Sequence, residues 1–255
     1  MLYTAAVLAA ERKGEILARL GRDGRVVVAE LVAGLSVSDD TVRRDLQELA
    51  ALGLLRRVHG GALASTSGSL PFEQRLEIAQ EKKAALAEAA LPLVESSRTL
   101  FLDGGTTALE VARRLPSSWD GVVVTNAPPV AAALAAHPNA EVMVVGGRLL
   151  KDEQVAVGPV AVDAFRAVRA DACVLGVCAF HPEIGVTTAS NAEAQVKRAM
   201  VASSDEVVAL ATRDKLHTSN PWVVAPLDEI DYLITDGDED LTSAFAAAGL
   251  DVVAV

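Results

Sequence analysis

From residue 99 onward, short and nearly unbroken apolar runs alternate with helical patterns. The runs fall at 99–102, 122–125, 141–145, 172–177, 206–211, 232–235 and 251–255, and helices are predicted at 107–115, 129–136 and 191–202. A strand with one wet face alternates apolar and polar residues, whereas a strand covered on both faces is apolar throughout. The runs are of the second kind, so this part is predicted to be a mostly parallel α/β domain with helices on both sides of its sheet. With apolar residues at 51% and charged residues at 22% of a 255-residue chain, a core forms without disulfide or metal staples.

The first 64 residues follow another pattern. Helices are predicted at 11–20, carrying Ile16, Leu17 and Leu20; at 28–35, centred on Leu31; and from an N-cap at Ser38 to about 52. Asp39 and Asp40 stand in the first turn of the third helix, where its dipole favours anions. Short β-prone pieces at 25–27 and 54–58, with a turn at Gly60 and Gly61, complete the order of a winged helix-turn-helix. A Ser/Gly tract at 64–69 followed by Pro71 reads as a linker. The expected organisation is a first domain over 1–62, a linker over 63–79, and a second domain over 80–255.

Charge divides along the same line. The formal net charge is -11, but residues 1–64 hold nine Lys and Arg against eight Asp and Glu, so the acidity lies in the remainder. Arg43, Arg44, Arg56 and Arg57 fall within fifteen residues of the small part. On the third helix Val42, Leu46 and Leu49 form an apolar stripe, with Asp40, Arg43, Arg44 and Gln47 opposite and Thr41 at the flank. Either this is the solvated face of a small bundle, or it enters a major groove. In the second reading arginine reads guanine, Ser38 and Thr41 reach phosphates, and Arg56, Arg57, His59 and Gly60 form a wing against the flanking backbone. Asp40 then pairs with an arginine or costs affinity.

In the larger part, Asp103, Gly104, Gly105, Thr106 and Thr107 follow a strand and open a helix, the place where open α/β sheets bind ligands. Glycines admit close backbone approach, and the helix start offers free N–H groups for an anion. The plainer alternative is a tight turn. Thr125 and Asn126 end the next strand, Gly146, Gly147 and Arg148 the one after, and Lys215 lies in a later loop. Glu193 and Lys197 are one helical turn apart, as a surface ion pair or as part of the same pocket.

The stretch Ser38-Asp-Asp-Thr-Val-Arg-Arg-Asp-Leu46, with Leu54-Leu-Arg-Arg-Val-His-Gly-Gly-Ala62, closely resembles the DeoR family of bacterial transcriptional regulators. The resemblance covers residues 11–236 or so. It implies an operator-binding head and an effector domain similar in fold to ribose-5-phosphate isomerase and glucosamine-6-phosphate deaminase. It also implies that the 103–107 loop, Thr125-Asn126, Gly146-Gly147 and Lys197 surround a phosphorylated sugar or related metabolite. The segment from Pro71 to Arg75, with Lys82, is similar to the family's connection between domains.

Two departures stand out. Val27 replaces the small hydroxyl residue that commonly starts the family's second helix, withholding a cap worth about 0.5–2 kcal/mol. Cys178 and His181 occupy positions where acids are common in the regulators and the isomerases, which argues against enzyme activity, since an isomerase needs a positioned carboxylate base.

The sequence reading is therefore a regulator, most simply a repressor of carbohydrate-metabolism genes. Its expected partners are operator DNA, a phosphorylated effector and further copies of itself, since paired half-sites need an oligomer. A sugar-phosphate isomerase or deaminase with a DNA-binding head is the alternative, with Asp103 or Glu193 as base. A sensor indifferent to phosphate is a third. No cofactor is expected, and no metal site: the four histidines lack ligand spacing, and the acidic run at 236–240 lacks that of a calcium loop and reads as solvated. Two cysteines in C-x4-C spacing fit a reducing compartment, and with no basic n-region and no run of about 18 apolar residues the expected location is the cytoplasm.

Overall fold

The structure, a computed structural model, describes residues 9–23, 25–35, 37–51, 55–58, 60–64 and 70–255. It divides into two compact units, Met1–Leu70 and Pro71–Val255. The boundary expected at residue 62 falls inside a strand, and the expected linker 63–79 includes that strand's end and a short helix. The tract at 65–69 lies outside the described residues, as do His59 and Gly53.

The first unit runs α1 (Ala9–Asp23), β1 (Arg25–Val27), α2 (Val28–Leu35), α3 (Asp39–Ala51), β2 (Leu55–Val58) and β3 (Gly61–Ala64). Its strands form an antiparallel sheet in the order β1-β3-β2. The stripe of Val42, Leu46 and Leu49 is buried against Ile16, Leu20 and Leu31, as the helical spacing predicts. Ser38 caps α3, its Oγ accepting the Thr41 N–H at 3.2 Å. No hydroxyl caps α2. Instead the Val28 N–H donates to the Gly60 carbonyl at 2.8 Å, so the wing turn satisfies one of the free donors at the start of α2. Gly61 is required there, since a Cβ would stand 2.0 Å from the Val26 carbonyl oxygen.

The second unit opens with α4 (Phe72–Leu76) and α5 (Gln80–Val94), then β4 (Thr99–Leu102), α6 (Thr106–Arg114), β5 (Val122–Thr125), α7 (Pro128–Leu134) and β6 (Glu141–Val144). A hairpin, β7 (Arg148–Leu150) and β8 (Val155–Val157), precedes α8 (Pro159–Arg166) and β9 (Ala170–Gly176). There follow β10 (Ala179–His181), β11 (Gly185–Thr188), α9 (Asn191–Ala202), β12 (Ser204–Leu210), β13 (Trp222–Ala225), β14 (Tyr232–Thr235), α10 (Glu239–Ala247) and β15 (Asp251–Ala254).

Seven strands form one sheet in the order β15-β14-β12-β9-β4-β5-β6, every pair parallel. The chain builds outward from β4 to β6, crosses back to β9, and builds outward again to β15. The order thus reverses between β4 and β9, which opens a crevice at their carboxyl ends. Central strands are buried on both faces, with α5, α6 and α7 packed in one series and α8 with α9 in another. β6 departs from this: at the sheet edge it leaves Met143 and Val144 exposed, the latter at 56%. The acidic run near 236–240 is not simply a solvated loop, because Asp238 caps α10 and Asp236 pairs with Lys82 at 2.7 Å.

Candidate functional site

In the first unit, Ser38, Arg43, Arg44 and Gln47 are exposed on the face of α3 opposite its core stripe, with Thr41 half-buried beside them. Arg43 pairs with Asp39 one turn earlier, which fulfils for Asp39 the pairing expected of Asp40. Among the described residues Arg44 makes no ion pair or hydrogen bond. Arg12 reaches across to the buried Asp45 through two nitrogens, one bond measuring 3.1 Å, and so ties α1 to the back of α3. Arg56 and Arg57 lie on β2, Arg57 exposed, and the exposed Gly60 adopts φ +82° in the wing turn.

In the second unit, the carboxyl ends of β4 and β9 bring Asp103 and Gly176 together. Asp103 is 2% exposed and accepts the Gly176 N–H at 2.9 Å. Lys197, 3% exposed, donates to Asp103 and to the Gly176 carbonyl at 2.8 Å, and its Nζ lies 3.4 Å from Glu193. Its three donors therefore all point at protein acceptors. Burial works against its charge, but Asp103 and then Glu193 outweigh it and hold its pKa above the ordinary lysine value. The Glu193–Lys197 pair exists, though as a buried network rather than a surface contact. Glu193 also accepts the Thr188 hydroxyl at 2.6 Å, and the Cys178 Sγ lies 3.6 Å from that hydroxyl. His181 is elsewhere, on β10 against His217.

The α6 start, which follows Asp103 after Gly104 and Gly105, has no side-chain cap. Gly105, at φ +103°, is the N-cap and offers no side chain, so the first N–H groups of the helix have no partner within it. Thr106 and Thr107 are buried in that turn. Gly104 is pressed against β8, where a Cβ would stand 2.1 Å from Val155 Cγ1. Asn126 donates to the Ala156 carbonyl at 2.8 Å and is 2% exposed, yet its Oδ1 has no partner. Gly146, Gly147 and Arg148 lie exposed at the start of the β7–β8 hairpin, and Arg148 makes no bond to the Asp103–Lys197 network.

Three cations converge here. Lys83 on α5 is 7% exposed and donates to the Arg75 carbonyl. Burial, then repulsion from Lys215 and Arg75, pulls its pKa down to about 8. Burial likewise lowers Lys215, with Asp214 and Cys178 opposing and Arg75 and Lys197 reinforcing. The Arg75 guanidinium lies 4.0 Å from where a Cβ on Gly105 would sit. Glu153, in the hairpin turn, is pushed above the usual carboxylate range by burial and then by Glu193. Arg75, Lys83 and Glu153 were not among the residues the sequence nominates. Arg75 read as part of a connector, and only its place after a linker and before a lysine-rich helix start marks it.

A winged helix-turn-helix head joined to an α/β unit with a polar crevice at its switch point is the build of a one-component regulator. Residues 12–68 match the family model of the DeoR-like helix-turn-helix domain, and residues 78–237 that of the DeoR C terminal sensor domain. An HTH-type transcriptional regulator, GlpR of Haloferax volcanii, is 37% identical over 252 residues, which covers 97% of this chain and 98% of that one. The HTH-type transcriptional regulator GolR of Listeria innocua is 31% identical, covering 95% and 97%. The glycerol-3-phosphate regulon repressor of Haemophilus influenzae is 31% identical, covering 88% of each chain. The chain belongs to the DeoR family of transcriptional regulators. Among solved structures, a chain of the tetrameric eIF2B-beta2-delta2 complex from C. thermophilum shares the fold at TM-score 0.51 and 12% identity, covering 94% of this chain and 88% of that one. A ribose-5-phosphate isomerase in complex with phospho-erythronic acid aligns over 53% of each chain at TM-score 0.39 and 16% identity.

Proposed function

We propose that this regulator represses carbohydrate-metabolism genes by binding operator DNA through α3 and the wing, and that a phosphorylated sugar or related metabolite in the β4–β9 crevice changes that affinity. The observation that carries the reading is the uncapped N-terminus of α6 with the Arg75 guanidinium 4.0 Å from where a Cβ on Gly105 would sit, and Lys83 and Lys215 close enough to that arginine to be repelled by it, in an otherwise acidic unit. Helix N–H groups, threonine hydroxyls and cations together suit a phosphate. The name of the Haemophilus relative, a glycerol-3-phosphate repressor, is in keeping with such an effector. Gly104, Gly105, Thr106 and Thr107 form the cradle, with Thr125 and Asn126 beside it. Asp103, Glu193 and Lys197 act as a rigid floor.

On the DNA side, Arg44 and Gln47 read bases, Ser38, Thr41 and Arg43 position the helix, and Arg56, Arg57, His59 and Gly60 serve the flanking backbone. An oligomer presents two such heads to paired half-sites. Turnover has no support: Asp103 and Glu193, the acids nominated as base, are both engaged by neighbours. No helix among the described residues is long and apolar enough to cross a membrane, and a cytoplasmic location suits an operator-binding protein. Fluorescence anisotropy of the full chain on its own upstream DNA tests the reading. Sequence-selective binding that sugar phosphates release supports it; release by the unphosphorylated sugar at equal concentration points to a sensor indifferent to phosphate.

A further inference from the structure

We propose that Arg75 is a direct ligand of the effector's anionic group, and that through it the occupied crevice grips the segment leading out of the DNA-binding unit. The inference rests on the sensor reading above and adds a residue and a route of coupling to it.

Arg75 sits on α4, five residues after Leu70, where the first compact unit ends. That helix is docked onto the second unit by the buried Phe72 side chain and by the Phe72 N–H, which donates to the Asp152 carbonyl at 2.6 Å. From there the guanidinium stacks near the Phe72 ring, 5.8 Å from its centroid, and extends to Gly105 at the start of α6. Its Nε is buried and has no hydrogen-bond partner, and no carboxylate among the described residues forms an ion pair with it. A buried guanidinium N–H without an acceptor is costly, and such groups ordinarily find one. Lys83 donates to the Arg75 carbonyl, and the Lys215 ammonium has no bonded partner among the described residues. Three cations therefore meet at a helix N-terminus, where Asp214 and Glu153 lie near enough to act on them but form no ion pair with them among the described residues, while Asn126 presents an unpartnered buried acceptor on the next strand.

A phosphate fits this arrangement better than a carboxylate. Its three free oxygens match the guanidinium, the lysines and the helix N–H groups together, and a planar guanidinium binds it through two parallel bonds. Because Arg75 is carried by α4, the energy of that contact acts on the position of α4, the first element after the DNA-binding unit. A ligand that holds this helix in one position shifts the population of conformations available to the head.

Inorganic phosphate is the probe. Titrate it into the full chain against chloride at constant ionic strength, for the native protein, Arg75→Gln, Arg75→Lys and Lys215→Gln, and follow amide hydrogen exchange of residues 72–78. The native protein is expected to bind phosphate and to slow those amides. Arg75→Gln should weaken binding about ten-fold or more and abolish the slowing, and Arg75→Lys should fall between, since it keeps the charge but not the Nε–H. If Arg75→Gln does not fold, Arg75→Lys carries the comparison. Native-like phosphate affinity and unchanged slowing in the Arg75 variants, with Lys215→Gln impaired, overturn the role of Arg75 and leave the sensor reading intact. Failure of the native protein to bind phosphate or any sugar phosphate overturns both.

Discussion

Arg43 and Arg44 are neighbours in sequence with different surroundings: Arg43 is held by Asp39, while Arg44 faces solvent with no partner among the described residues. Arg44→Ala is therefore expected to lower operator affinity, by about 1–3 kcal/mol if it reads a guanine, and to leave phosphate binding unchanged. Anisotropy with matched DNA checks the first part and calorimetry the second. Lys197 offers the opposite case. Removing its ammonium in Lys197→Met strands two buried carboxylates, so a loss of about 3–5 kcal/mol in urea unfolding is expected, beyond any effect on ligand. The pH dependence comes from Lys83. Its pKa of about 8 lies below the ordinary 10.5 because of burial, Lys215 and Arg75, against the weaker pull of Asp214 and Glu110. An arriving anion raises that pKa, so binding takes up protons, and the Lys83 contribution to phosphate affinity should be lost as pH rises through about 8. Calorimetry in buffers of different ionisation enthalpy measures the uptake. A pH-independent affinity between 7 and 9 would remove Lys83 from the anion site.

At the level of elements, the wing and α2 are joined by one bond, Val28 N–H to the Gly60 carbonyl, and by the tight β1–β3 approach at Gly61. Gly61→Ala forces a Cβ onto the Val26 carbonyl, and a destabilisation of about 1–3 kcal/mol or more is expected in unfolding of the first unit. Hydrogen exchange confined to that unit is the measurement. The same scale shows what patterns reveal. β4, β5, β14 and α9 lie where apolar runs and helical spacing predicted them, because those signals are local. The β7–β8 hairpin, the sheet of β10, β11 and β13, and helices α5, α8 and α10 were not anticipated. Their strands are only three or four residues long, too short to establish a period, and Pro92 inside α5 reads as a break although it falls in the last turn.

For the whole molecule, charge and architecture divide together. The residues proposed to read DNA belong to the unit with a slight positive excess, and the acidic remainder repels a polyanion. Operator binding should thus weaken steeply and linearly in log–log terms as salt rises, which anisotropy across a salt series measures; a flat profile would show that phosphate contacts do not hold the complex. What the sequence determined by itself is the kind of each long element, the division into two units, the exposed arginines of α3 and the glycine-rich loop of the crevice. These depend on periodicity and turn chemistry over a few residues. Only the tertiary structure decided which charges are bonded within the protein and which have no bonded partner among the described residues. Lys197 and Asp103 lie 94 residues apart and meet because β9 crosses back beside β4. The same reversal brings Lys215 toward Lys83 and Arg75. Such pairings follow from strand order, and strand order is set by how apolar faces pack, which no local pattern encodes.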